Sequence, residues 1–349
     1  MKKNLVGIDI FCGAGGLTNG LKKAGINVKI GVDLDKGVEQ TYTRNNPDTR
    51  FLNKDIKKVT PKELLKGIDR STNLLVLAGC APCQPFSRQN IVKKKRDSRR
   101  SLIVYFAKLI GQISPDYVLV ENVSGFMKKT NIYRRFLLKI LRSNGYDYEE
   151  RVINAADYGV PQKRKRYILI ASKIGPISLP SSEFGPKRLP YVTVRDTIQK
   201  YPKLIAGQTV KNIPNHQSRL LSEMNLMRIK SIPKNGGSRS SFPDNLVLKC
   251  HSKHKGHSDV YGRMRWDEPA PTLTCKCTSI TNGRFGHPDQ NRAITAREAA
   301  ALQTFGDDYV FYGNFTEITR HIGNSVPVLL AEKLGKEIIK HAHKAQNLD

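Results

Sequence analysis

Two residues in this sequence have the types and the setting for covalent chemistry. Cys83 lies in GCAPCQPFS (79–87), directly after the apolar run LLVLAG, with prolines at 82 and 85. Proline locks φ near about −65°, so the thiol sits on a stiffened turn. A free thiol ionises near pH ~8.5 and is a few per cent thiolate at neutrality. Such a soft nucleophile needs an electron-poor carbon, and that carbon needs an acid beside it. Glu121, in ENV (121–123) at the end of the run YVLVENV, supplies one. On residue type alone, Cys83 also suits packing in a tight corner, and Glu121 also suits a structural carboxylate. Cys80 raises the question of a redox pair with Cys83. A redox Cys-x-x-Cys opens a helix, whereas breaking residues follow here, so Cys80 is read as packing.

A second constellation sits at the N-terminus. DIFCGAGGLTNGL (9–21) places Gly13, Gly15 and Gly16 between a strand pattern and a helix pattern. Glycines permit a tight turn and close backbone approach to a ligand, and the helix start offers free N–H groups. A dinucleotide fingerprint would have glycine at 18, where the sequence has Thr18, which weakens a nicotinamide reading. Asp33 ends the next apolar run twenty residues past Gly13, and Asp55 follows a short third one. An acid at a strand's carboxyl end suits ribose hydroxyls, and a second suits an adenine amine. Each alone also reads as a helix cap. Together they outline a nucleoside pocket without a phosphate-binding lysine motif, which fits S-adenosylmethionine.

The chain carries 59 Lys and Arg against 30 Asp and Glu, a formal charge of +29. Such a field favours a polyanionic partner, and nucleic acid is the commonest one for a soluble protein. No run approaches the roughly 20 apolar residues of a membrane span. The N-terminal MKKNLVGIDIF is interrupted by Asp9 and reads as a buried strand rather than a signal peptide. The six cysteines form no disulfide framework, as expected of a reducing, cytoplasmic setting. Thiolate, acid, nucleoside pocket and polyanion fit one reaction. Carbon 6 of cytosine becomes electrophilic when nitrogen 3 is protonated. Thiolate addition there makes carbon 5 a nucleophile toward a sulfonium methyl, and loss of the carbon-5 proton expels the cysteine.

The elements that must position these groups are legible as short apolar runs. LVGIDIF (5–11), VKIGVDL (28–34), LLVLAG (74–79), YVLVENV (117–123) and RYILIAS (166–172) lack clean alternation, as strands buried on both faces do. Between them Leu17, Leu21 and Ala24 recur at helical spacing, as do Leu102, Phe106, Leu109, Ile110 and Ile113. Strand–helix alternation predicts a doubly wound, mostly parallel α/β sheet. From about 176, repeated prolines and interleaved basic residues predict a smaller, loop-rich domain. Helical patterning returns at ITAREAAALQTF (294–305), and VLLAEKLGKEIIKHA (328–342) predicts an amphipathic helix with Leu330, Leu334 and Ile338 on one face.

These motifs resemble, in order and over nearly the whole chain, those of the DNA cytosine-5 methyltransferases. FCGAGG (11–16) resembles the cofactor turn, PCQPFS (82–87) the nucleophile loop and ENV the glutamate motif. QKRKR (162–166) resembles the Gln-x-Arg-x-Arg element, and REAAALQTF (297–305) and GNSVP (323–327) the closing motifs. The resemblance implies a Rossmann-like, S-adenosylmethionine-dependent fold with Cys83 as nucleophile and Glu121, Arg164 and Arg166 as its catalytic partners, the arginines holding the cytosine and the loop. It implies cofactor contacts from Phe11, Gly13, Gly15, Gly16, Leu17, Asp33, Leu34, Asp55 and Ile56, with Asn324 and Ser325 closing the pocket. It also implies a cofactor-binding domain over 1–180, a target-recognition domain over 181–310, and a C-terminal segment over 311–349 completing the first.

Cytosine inside a duplex cannot reach a thiol, so the target base must be flipped out. SRQNIVKKKRDSRRS (87–101), with seven basic residues, reads as a lid over phosphates or as a solvated loop. Ser87, Arg88 and Gln89 are placed to fill the vacated stack. In 251–288, Arg263, Arg265, Lys276 and Arg284, with Asn282 and Gly283 on a turn, read as base readers, arginine suiting guanine edges and asparagine adenine, and Thr272-Leu273 resembles the family's Thr-Leu pair. Cys250, His251, His254, His257, Cys275 and Cys277 lack finger spacing, and no metal is expected. The expected protein is a monomeric, bacterial or phage-encoded enzyme that methylates duplex DNA and protects it from a cognate restriction endonuclease acting separately. The alternatives are a transfer-RNA cytosine-5 methyltransferase and a non-catalytic DNA-binding relative.

Overall fold

The computed structural model describes residues 3–81, 101–249 and 259–347. Cys83, Ser87, Arg88 and Gln89 lie outside the described residues, as do Cys250, His251, His254 and His257. The chain forms two compact units. The first takes residues 1–158, 165–182 and 326–349, and the second takes 159–164 and 183–325.

The first unit holds β1 (Asn4–Ile10), β2 (Asn27–Asp33), β3 (Arg50–Asn53), β4 (Asn73–Gly79), β5 (Tyr117–Val123), β6 (Asp147–Asn154) and β8 (Lys165–Ser172), while the two-residue β7 (Gln162–Lys163) belongs to the second. The seven-stranded sheet has the order β3-β2-β1-β4-β5-β8-β6. Its first five strands run parallel, while β8 is antiparallel to both β5 and β6. Consecutive residues such as Val76 and Leu77, or Ile168 and Leu169, are fully buried. Because neighbours on a strand face opposite sides, both faces are covered, which is why these runs lack alternation. The doubly wound α/β sheet expected from the sequence is therefore present.

The helices of this unit are α1 (Gly16–Ala24), α2 (Glu39–Asn45), α3 (Pro61–Leu65), α4 (Leu102–Ile113) and α5 (Ile132–Ser143). In the second unit α6 (Val194–Ile198), α7 (Glu223–Ser231), α8 (Ala296–Leu302) and α9 (Phe315–Asn324) are joined by long irregular stretches. The chain then returns to the first unit as α10 (Val328–Ala345), whose Leu330, Leu334 and Ile338 are buried as their spacing predicts. α10 lies against α1 at close range. A Cβ on Gly20 would come within 2.4 Å of the Val328 carbonyl oxygen, and one on Gly335 within 2.7 Å of Ala24 Cβ. Among the described residues no helix is long and apolar enough to cross a membrane.

Strand order reverses direction between β1 and β4, and in open α/β sheets the ligand crevice lies beyond the carboxyl ends at that point. The glycine turn leaves β1 there, Cys80 leaves β4, Asp33 ends β2 and Glu121 lies near the end of β5. The fold thus brings every sequence-predicted group of this unit that it describes to one rim.

Candidate active site

The glycine turn is pinned to its neighbours by backbone. The Val32 carbonyl accepts from the N–H groups of Phe11 and Cys12 at 2.8 and 3.1 Å. Phe11 has φ 65°, in the left-handed region that a bulky side chain rarely occupies. Strain of that kind persists where surroundings impose it and is common at ligand sites. Gly13 has φ 51° and nothing within 4 Å of where a Cβ would stand. Asp33 accepts from the Gly13 N–H through Oδ2 and from the Asp35 N–H through Oδ1, each at 2.8 Å. Its carboxylate orders the turn as well as standing at the rim. Beside it Leu34 is 67 % exposed, an uncovered apolar surface fit for a ring. Asp55 caps a short 3₁₀ turn by accepting from the Lys57 N–H, and Ile56 is buried beneath it. Leu17 is buried at the start of α1.

Below the turn lies a polar network that sequence reading did not anticipate. Asp9 is fully buried in β1, Thr18 Oγ1 donates to its Oδ2 at 2.7 Å, and the same hydroxyl lies 2.8 Å from the Tyr42 hydroxyl. Thr18, which departs from a dinucleotide fingerprint, thus has a structural purpose. Desolvation pushes the Asp9 carboxyl up to about 7, against the Thr18 hydrogen bond and with added repulsion from Asp33. Burial likewise raises the Cys12 thiol, leaving it protonated and inert.

Strand register assembles the second half of the rim. β4 and β5 pair Gly79 with Val120, so the next residues, Cys80 and Glu121, fall side by side. The Cys80 thiol donates to Glu121 Oε2 at 2.7 Å. Across the antiparallel β5–β8 ladder Val123 faces Arg166, which makes Glu121 and Arg166 diagonal neighbours. Arg166 Nε donates to Glu121 Oε1 at 2.9 Å, with side-chain exposures of 12 % and 4 %. The reading of Cys80 as packing is therefore corrected, since its thiol is a hydrogen-bond donor to the buried acid. Asn122 was also missed. Its Nδ2 donates to the Ala81 carbonyl at 3.2 Å, tying down the last described residue before the segment that carries Cys83.

Arg164 belongs to the second unit and is 2 % exposed. Its Nη1 donates to the Leu273 carbonyl at 2.9 Å, and its Nη2 to the carbonyls of Gly323 and Ser325. Gln162 accepts from the Leu273 N–H and donates to the Leu302 carbonyl and to Gln303. Both terminal nitrogens of Arg164 are thus committed to backbone carbonyls of this unit. Here Arg164 is a scaffold joining the 162–166 motif to the Thr-Leu pair and to GNSVP. Asn324 is exposed at the end of α9, and the Ser325 hydroxyl donates to the His321 carbonyl at 2.8 Å.

Other expected base readers in this unit divide by burial. Arg263 is 1 % exposed, and its guanidinium donates to the carbonyls of His287, Gln290 and Ile229 and to Asn291. It is a core strut and no base reader in this conformation. Arg284 Nη1 is likewise committed to backbone carbonyls, whereas Arg265 and Lys276 are exposed. Glu298 forms a fully buried ion pair with Arg292 at 2.7 Å, which offsets its desolvation and holds its carboxyl down at about 2. Among the described residues no cluster of His, Cys, Asp or Glu could hold a metal ion. Cys277 is buried with its thiol pushed up to about 12 by desolvation.

Comparison with known proteins decides the family. Residues 5–340 match the model of the C-5 cytosine-specific DNA methylases. The chain belongs to that family. By class it is a DNA (cytosine-5)-methyltransferase. The methylase is 39 % identical over 340 residues to the type II methylase M.HgiDII of Herpetosiphon aurantiacus, covering 95 % of this chain and 94 % of that one. It is 32 % identical over 345 residues to the type II methyltransferase M1.HphI of Haemophilus parahaemolyticus, covering 97 % and 87 %. A crystal structure described as a DNA modification methyltransferase encoded within an Escherichia coli prophage matches with a TM-score of 0.75 at 26 % identity, over 97 % of this chain and 99 % of that chain.

Proposed function

We propose that this methylase transfers a methyl group from S-adenosylmethionine to carbon 5 of a specific cytosine flipped out of duplex DNA, with Cys83 as covalent nucleophile. The observation that carries the reading is the buried Glu121, held by Arg166, beside the exit of β4. In this role Glu121 presents a proton to nitrogen 3 while the thiolate adds to carbon 6. Arg166 fixes the carboxyl, and Asn122 fixes the chain entering the nucleophile segment.

The rim fits the cofactor. Phe11, Gly13, Gly15, Gly16 and Leu17 would receive its methionine part, Asp33 its ribose, and Leu34, Asp55 and Ile56 its adenine. The open space above Gly13 and the uncovered Leu34 support this. When bound, S-adenosylmethionine supplies an electrophilic methyl group on sulfur. Asn324 and Ser325 are assigned to it by their motif alone. Residues 181–310 would read the target sequence, and the basic segment 87–101 would meet phosphates. The relatives named above are type II methylases, which supports a role in restriction–modification; in the reading proposed here the enzyme acts as a monomer and shields DNA from a separate endonuclease.

The test is an oligonucleotide library carrying 5-fluorocytosine, which has no carbon-5 proton to lose. With the methyl donor present, a denaturation-resistant adduct should map to Cys83 by mass spectrometry. No adduct, or one elsewhere, overturns the assignment. Parallel assays on duplex DNA and transfer RNA fix the substrate class.

A further inference from the structure

We propose that Cys80 is a positioning residue for methyl transfer, its thiol holding Glu121 Oε2 while Arg166 holds Oε1, so that the plane of the carboxyl is set before the base arrives. The inference rests on the reading of Glu121 as the group that meets nitrogen 3.

Three observations converge on it. Backbone register, rather than a chance rotamer, brings the pair together, since the 41-residue offset that pairs Gly79 with Val120 also aligns Cys80 with Glu121. Glu121 is 3 % exposed, so its oxygens have protein rather than bulk water as partners. The two donors come from opposite sides, Cys80 from the exit of β4 and Arg166 from β8, and together they oppose rotation of the carboxyl. A carboxylate has about four lone-pair positions, so these bonds leave room for a base. A thiol is a weak donor, and it orients the acid without stabilising the anion as strongly as a second charge would. Misplacing a catalytic group by about 1 Å can cost on the order of 100-fold in rate.

Single-turnover methylation of long unmethylated phage DNA with radiolabelled S-adenosylmethionine tests this in the full-length protein. Cys80→Ala should slow transfer about 10-fold, the equivalent of one positional hydrogen bond, with DNA affinity unchanged. Cys80→Ser restores a donor and should return the rate to within about threefold of wild type. In a Glu121→Gln background, Cys80→Ala should add no further loss, because the group it positions is gone. If Cys80→Ala matches wild type while Glu121→Gln is crippled, the inference is overturned and the reading of Glu121 stands. If Glu121→Gln is itself near wild type, that reading falls instead. A loss that serine fails to rescue, and that persists in the Glu121→Gln background, makes Cys80 a packing residue and also overturns the inference.

Discussion

Replacing Asp9 by asparagine isolates what it costs to bury a carboxyl group beneath the glycine turn. Asp9 is fully buried, and desolvation raises it from 3.8 to about 7. The folded protein therefore binds this proton more tightly than the unfolded chain does. Below about pH 4 both states are protonated and the stabilisation is complete; it is lost as pH rises through about 7. At about 1.4 kcal/mol per tenfold change, the whole window is worth about 4 kcal/mol, of which about 3 kcal/mol falls between roughly pH 5 and 8. The asparagine side chain cannot ionise, and the Thr18 hydroxyl can still donate to its amide oxygen. Any fixed cost of the new amide is independent of pH. Urea unfolding of both proteins, followed by circular dichroism, should show wild type losing about 3 kcal/mol relative to Asp9→Asn across that range. If the two stability curves run parallel, Asp9 titrates as an ordinary carboxylate and the argument from burial is wrong.

Cys83→Ser should abolish turnover while leaving duplex binding within about twofold, since a serine hydroxyl is far less ionised than a thiol; filter binding beside a methylation assay checks both. Asn122→Ala frees the Ala81 carbonyl and should slow single-turnover methylation by about 10- to 100-fold, with affinity for the cofactor unchanged. Gly20→Ala places a Cβ 2.4 Å from Ala331 Cβ and the Val328 carbonyl oxygen, and overpacking of this kind should destabilise by about 1–3 kcal/mol, read as a fall in thermal midpoint. Binding to non-specific duplex should weaken steeply with salt, and a flat salt dependence would exclude phosphate neutralisation as its source.

The strands that carry the rim were legible because they are buried on both faces and leave uninterrupted apolar runs. β6 was not, since DYEERVIN buries only Ile153 and holds its place at the sheet edge through the ladder to β8. Nor does sequence announce that β8 runs antiparallel, a fact that makes Arg166 a diagonal neighbour of Glu121. Glu121, Arg166, Asp33 and the glycines stand out in the sequence because their types and order carry a motif. Cys80 and Asn122 needed the strand register, which no spacing rule supplies. Arg263 misled for another reason. Arginine is a surface residue by default, and only its ring of carbonyl partners makes full burial tolerable.

The pairing of α1 with α10 also orders events at the ribosome. Gly20 and Leu21 are made long before the helix that covers them, which starts at Val328. The nascent chain must carry that apolar stripe uncovered while more than three hundred residues are added. The second unit, by contrast, has all its residues once Ser325 emerges. Chains cut short before α10 should therefore be the ones that proteases and chaperones remove.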